Sequence, residues 1–306
     1  MSLLPAALLS MFFAAQPPAQ QPTLPEILAR VAEEAEVLAQ NAPKALTQET
    51  LEQRALIPPP RFRPRVGQAA PRLQLSVREI VSEYSVGTLK ESDSHDLVEF
   101  RQVVSVDGRR VQSAEQARHA LSLGIQSPDD RVRKRMLEDF AKHGLVDVAT
   151  DYGMILLAFT KRGLQNMQLK LAGETRVGAE RALVFSWRQT STAGGELEFS
   201  GNRAVRRSLQ GMLFVRKSDG LPLRVQAWAE HPDAKRTIRD QATVDYALSA
   251  HGFLMPVSVV HRHYLDGRLQ IENLYRYEPF KLFSADAEIK FTEVPETPPP
   301  PPAPQK

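Results

Sequence analysis

Between Arg72 and Glu293 the chain alternates apolar and polar residues in short runs broken by Asp-Gly pairs. This is the pattern of antiparallel strands joined by tight turns. Val103–Val106 and Arg109–Val111 flank Asp107-Gly108; Met212–Arg216 and Leu221–Ala227 flank Asp219-Gly220; Val257–Leu265 and Arg268–Tyr277 flank Asp266-Gly267. A glycine after aspartate supplies the positive φ that hairpin turns need. Further strands are predicted at Val77–Leu89, Leu97–Ser105, Met167–Leu171, Ala182–Arg188 and Thr243–Leu248. The period changes between the first hairpin and the later strands. Ser113 with Gln116 caps a short helix, and Ser127 to Asp130 open another, with Val132, Met136, Leu137 and Phe140 on one face and Gly144 as its stop. Tyr152–Thr160 fits a buried strand and a helix equally. Adjacent hairpins without alternating crossover helices predict an α+β fold, not a doubly wound sheet.

Turn lengths extend the prediction to faces. A two-residue turn at Asp266-Gly267 pairs Tyr264 with Leu269 and Arg262 with Ile271. Val260, Arg262, Tyr264, Leu269, Ile271 and Tyr275 then share one face, opposite His261, His263, Gln270 and Glu272. The same parity puts Met212, Phe214, Arg216, Leu221, Leu223, Val225 and Ala227 together. Each hairpin is thus expected to carry one apolar face holding a single arginine. Such a face must be covered by helices, a second sheet or a ligand.

Proline sets the limits of that core. Of 23 prolines, 11 lie at or before Pro71 and 7 at or after Pro295, and proline lacks the donor a sheet ladder needs. The organisation expected is a signal peptide over 1–15, an N-terminal helix and Pro/Arg-rich linker over 16–71, a single β-rich domain over 72–293 with a helical insertion at about 113–160, and a disordered Pro-rich tail over 294–306. The apolar run Leu3–Ala15 is too short to span a membrane and suits a signal-peptide core, predicting a periplasmic or secreted protein. The helix is predicted from Thr23, where Thr23 and Glu26 have capping-box spacing and Leu24, Ile27, Leu28, Val31, Ala35 and Leu38 follow the helical period.

With 306 residues, 42% of them hydrophobic, the chain can bury a core. Its net charge of +3 is no nucleic-acid footprint, so no nucleic-acid partner is expected. Absence of cysteine excludes disulfides, thiolate metal sites, a cysteine nucleophile and a lipid-modified N-terminal cysteine, hence a lipoprotein. Residues 54–78 contain arginines but no acidic residue, which reads as a solvated linker or as a contact with an anionic envelope surface.

The stretch Gly211-Met212-Leu213-Phe214-Val215-Arg216-Lys217-Ser218-Asp219-Gly220-Leu221-Pro222-Leu223-Arg224-Val225 resembles the strand–turn–strand signature of Lol-type periplasmic lipoprotein carriers. The strand at Thr243–Ala247, the loop at His251-Gly252, Met255-Pro256, Tyr277-Glu278-Pro279-Phe280 and Phe283-Ser284 follow in the same layout. The resemblance covers about Ala204 to Phe291, and it implies a curved antiparallel half-barrel wrapped over helices, with an apolar concave surface for acyl chains.

The ligand-binding candidates are therefore Met212, Phe214, Arg216, Leu223, Val225, Val260, Arg262, Tyr264, Ile271 and Tyr275. Arg216 and Arg262 either meet an anionic head group or pair with carboxylates within the fold. His261, His263 and Glu272 form an alternative metal set, against a plain cross-strand pair on a polar face. Common catalytic signatures are absent, and Ser94-His95-Asp96, being adjacent, cannot take triad geometry. The expectation is an exported, non-enzymatic binding protein for a lipid or acylated partner, without cofactor. The alternatives are an envelope-associated structural protein with a self-filled core and a metal-dependent hydrolase.

Overall fold

A computed structural model describes residues 22–59, 72–88, 97–126, 131–146, 152–190, 196–200, 203–233 and 236–283. The expected signal peptide, the Ser127–Asp130 helix start, Ser94-His95-Asp96, the arginines between 60 and 71 and the proline tail lie outside these residues. In chain order come α1 (Leu24–Asn41), β1 (Ala45–Ile57), β2 (Gln74–Thr88), β3 (Leu97–Val106), β4 (Arg109–Arg110), α2 (Ala114–Gln126) and α3 (Arg131–Lys142). A 3₁₀ segment (Tyr152–Phe159) and α4 (Lys161–Leu164) complete the insertion. There follow β5 (Met167–Val177), β6 (Glu180–Gln189), β7 (Glu196–Ser200), β8 (Arg203–Arg207), β9 (Gln210–Arg216), β10 (Pro222–Asp233), β11 (Arg236–Leu248), β12 (Leu254–Leu265), β13 (Arg268–Tyr277) and β14 (Lys281–Leu282).

Twelve strands form one open antiparallel sheet in the order β4-β3-β2-β1-β13-β12-β11-β10-β9-β6-β5, with β14 also on β1; β7 and β8 pair separately. The fold is the expected α+β, a curved antiparallel sheet packed on helices. Five breaks in register mark bulges, each of which bends its strand.

The capped helix forms as its sequence predicts: the amide and hydroxyl of Thr23 donate to the Glu26 carboxylate at 2.7 and 2.9 Å. Its apolar stripe, Ile27, Val31, Ala35 and Leu38, is sealed against the sheet together with Leu156 and Phe159. The opposite face is covered locally, where Leu121 of α2 packs on Val98 and Phe100. Strand β3 is therefore buried on both sides. Asp107 and Asp266 adopt positive φ (48° and 50°) ahead of glycines at 74°, so both pairs form the two-residue turns expected of them.

One central element carries no strand signal. Residues 45–57 form β1, between β2 and β13 in the middle of the sheet. Its inward positions include Thr47, Glu49 and Gln53 as well as Ala45, Leu51 and Ala55, so apolar alternation is lost although burial alternates.

Candidate functional site

Under α1 and the 3₁₀ segment the sheet carries polar groups, and they are organised around two residues. The first is Arg101 on β3. Its Nε and Nη2 donate to the two Glu49 oxygens at 2.6 and 2.7 Å, and Nη2 also reaches Glu99 at 2.8 Å. The guanidinium lies 5.0 Å from the Tyr84 ring centroid and 5.4 Å from that of Tyr275. The Tyr84 hydroxyl donates to Glu99 at 3.0 Å. These three charged side chains are 1% exposed. Burial pushes the Glu49 carboxyl up, against the pull of Arg101. Burial would lower Arg101, but Glu49 and Glu99 override it and hold the guanidinium charged. Burial raises the Tyr84 and Tyr277 hydroxyls far above their ordinary value. Two carboxylates around one cation are tolerated in a dry core only through such dense hydrogen bonding.

The second centre is His261 on β12, whose proton position follows from a chain of amides. The Val146 amide donates to Gln53 Oε1 at 2.9 Å, which fixes Gln53 Nε2 as the donor to Val146 O and to Asn273 Oδ1, at 2.8 and 2.7 Å. Asn273 Nδ2 then donates to His261 Nδ1 at 3.2 Å, leaving the ring proton on Nε2, 3.3 Å from Asp240 Oδ1. His263 Nδ1 reaches the same oxygen at 2.8 Å. Burial works to raise the Asp240 carboxyl, but hydrogen bonds from both histidines hold it well below the usual range.

The 3₁₀ segment, Tyr-Gly-Met-Ile-Leu-Leu-Ala-Phe, lies over both centres. The Tyr152 ring stacks on His261 at 5.1 Å. A side chain at Gly153 would bring its Cβ to 2.5 Å from Glu99 Oε1, so only glycine lets the backbone approach. The Tyr246 hydroxyl donates to Gly153 O at 2.9 Å and accepts from the Leu156 amide at 3.1 Å. Phe159 meets Trp187 edge to face.

The structure separates the ten expected ligand-binding residues. Val225, Ile271 and Tyr275 face inward and are buried, whereas Met212, Phe214, Arg216, Val260, Arg262 and Tyr264 are half-buried on the other face. Two bulges cause this. Beyond the Asp219-Gly220 turn the register shifts at Pro222/Arg224, leaving Leu223 without a partner, so Val225 pairs with Leu213. At Gln270 a second shift pairs His263 with Ile271 and Arg262 with Glu272. One extra residue exchanges every following side chain between faces. Arg216 forks onto Asp219 at 2.8 and 2.7 Å and Arg262 binds Glu272 at 2.7 Å, so both pair with carboxylates of the fold.

The metal set is corrected by the same bulge. Glu272 points away from His261 and His263, which share Asp240 instead. Among the described residues no group of three or more His, Asp or Glu is arranged to hold a metal ion. The inward polar residues Glu49, Glu99, Arg101, Gln53 and Asn273 were not legible as a site; alternation in β3 puts Glu99 and Arg101 on one face, but nothing local says which.

No protein-family model matches the sequence, and no match is found among curated proteins. Among solved structures, a LolA superfamily protein from Nitrosomonas europaea is similar, at 10% identity and a TM-score of 0.30, over 84% of this chain and 93% of that one. A DUF1329 family protein from Desulfovibrio piger is similar at 10% identity and a TM-score of 0.33, over 85% of this chain and 95% of that one.

Proposed function

We propose that this chain is an exported, non-enzymatic binding protein that takes an apolar ligand, the acyl chain of a lipid or lipoprotein, onto the helix-covered face of its sheet in place of Tyr152–Phe159. The observation supporting this is the nature of that cover. A 3₁₀ run of eight residues is uncommonly long, because its hydrogen-bond geometry is poorer than that of an α-helix. This one is apolar throughout and is tied to the sheet by the two hydrogen bonds of Tyr246. Its buried side chains Met154, Ile155, Leu156 and Phe159 give the interior the kind of apolar surface that an acyl chain would supply. No helix among the described residues is long and apolar enough to cross a membrane, and periplasmic residence belongs to the same proposal.

The test is native mass spectrometry and solvent extraction of the full chain after mild purification, with titration of a fluorescent fatty acid. Co-purifying lipid, or saturable uptake of the probe, is the expected result. A bare protein that takes up no probe overturns it. That outcome would favour the second reading, an envelope-associated structural protein with a sealed core, whose supporting observation is that Ile27, Val31, Leu38, Leu156 and Phe159 already fill the face.

A further inference from the structure

The apolar cover rests on oxygen. Around the place that a Cβ at Gly153 would take, the three nearest heavy atoms outside its chain neighbours are Glu99 Oε1 and the hydroxyls of Tyr84 and Tyr277, at 2.5, 3.3 and 3.4 Å. Gly153 presents no side chain to them, and Met154, Ile155 and Leu156 after it are apolar. The segment therefore shields these oxygens without serving them.

Two polar atoms of the same cluster have no hydrogen-bond partner under the cover. The Tyr277 hydroxyl lies beside Glu49, sealed from solvent, yet closes no hydrogen bond. Arg101, whose side chain is 1% exposed, has its Nε and Nη2 taken by Glu49 and Glu99 but its Nη1 unpaired. Burial keeps the Tyr277 hydroxyl protonated. Both orphans can donate, so what they lack is an acceptor oxygen.

Glu99 adds a second requirement. Its Oε1, nearest of all to the place under Gly153, accepts from Tyr84, and a carboxylate only accepts. An oxygen set there must therefore carry a proton as well as lone pairs. A hydroxyl has both. A carboxylate or an ether has no proton for Glu99, and an ammonium has no lone pair for Tyr277.

We propose that the acyl ligand carries a hydroxyl at its polar end, and that this hydroxyl settles where Gly153 now lies, donating to Glu99 Oε1 and accepting from the Tyr277 hydroxyl. The ligand class is then a neutral hydroxylated lipid, such as a monoacylglycerol or a long-chain alcohol, and not a free fatty acid or a long-chain amine. This rests on the reading that an acyl chain replaces Tyr152–Phe159, and it names the head of that chain.

Displacement of a bound fluorescent fatty acid from the full chain tests the head group, with dodecanol, dodecyl methyl ether, dodecanoate and dodecylamine as competitors that share one alkyl chain. Dodecanol is expected to displace the probe at about tenfold lower concentration than each of the other three. Tyr277→Phe should weaken dodecanol about fivefold, and the free variant should melt at or above the wild-type temperature, because the lost hydroxyl made no bond under the cover. The ranking on wild type decides the matter even if the variant fails to fold. Competitors of equal strength, or dodecanoate or dodecylamine ahead of dodecanol, overturn the hydroxyl assignment and leave acyl binding standing. So does a folded Tyr277→Phe variant that binds dodecanol as wild type does. A chain that takes up no probe removes acyl binding and this proposal together.

Discussion

The hydroxyl of Tyr246 donates to the carbonyl oxygen of Gly153 and accepts from the amide of Leu156, so one sheet residue satisfies two backbone groups of the apolar cover. Burial pushes that hydroxyl well above its ordinary value, so it remains a donor at any physiological pH. Tyr246→Phe keeps the ring and strands both backbone groups without water. It should lower unfolding free energy by about 1–3 kcal/mol in urea titrations. It should also strengthen uptake of a fluorescent fatty acid, because a loosened cover is easier to displace.

Gly153→Ala tests the approach of the cover to the floor. The added methyl would meet Glu99 Oε1, a side chain that Arg101 and Tyr84 hold in place and that cannot swing aside. The segment must lift, at a cost of about 1–3 kcal/mol. A melting temperature equal to that of wild type would show that the floor yields instead.

Arg101→Met should be the most damaging single change. It leaves Glu49 and Glu99 buried without a cation, which costs about 3–5 kcal/mol. Adding Glu49→Gln and Glu99→Gln should recover most of that loss, because the uncompensated charge then disappears. Denaturation of the single and triple variants measures this; failure to recover would mean that the guanidinium matters through its packing between Tyr84 and Tyr275.

Asp240 predicts a pH dependence. Its native carboxyl is held below the ordinary value of 3.8, despite burial, by His261 and His263. A carboxyl depressed in the folded state contributes stability above its unfolded value and loses it as pH falls through the folded one. Asp240→Asn should therefore cost about 1–3 kcal/mol at neutral pH and make the acid loss below pH 3.8 shallower than in wild type. Thermal melts across an acid series give both quantities.

Local chemistry was legible in the sequence and register was not. Asp107-Gly108 and Asp266-Gly267 turn as their residues require, and Thr23 with Glu26 starts α1, because each device is closed within a few residues. The bulges at Leu223 and Gln270 leave no such mark, yet each reverses the faces that follow, placing Leu213 inside where Phe214 was expected and Arg262 against Glu272. Strand β1 was missed for a related reason. Glu49 and Gln53 face the interior because Arg101 and Asn273, 52 and 220 residues away, satisfy them there. No window of neighbouring residues contains that information. The Tyr152–Phe159 segment was ambiguous because apolar residues on every side give no period to read.

The position of β1 between β2 and β13 also governs how the molecule is made. A strand translated ahead of all the other described strands cannot gain its second neighbour until Arg268–Tyr277 has been translated. Until then Gln53 and the far edge of β1 remain open, and the loop that finally closes is among the longest the chain contains. The midline of the sheet is thus assembled last, so a chain cut short before β13 would possess hairpins but no centre.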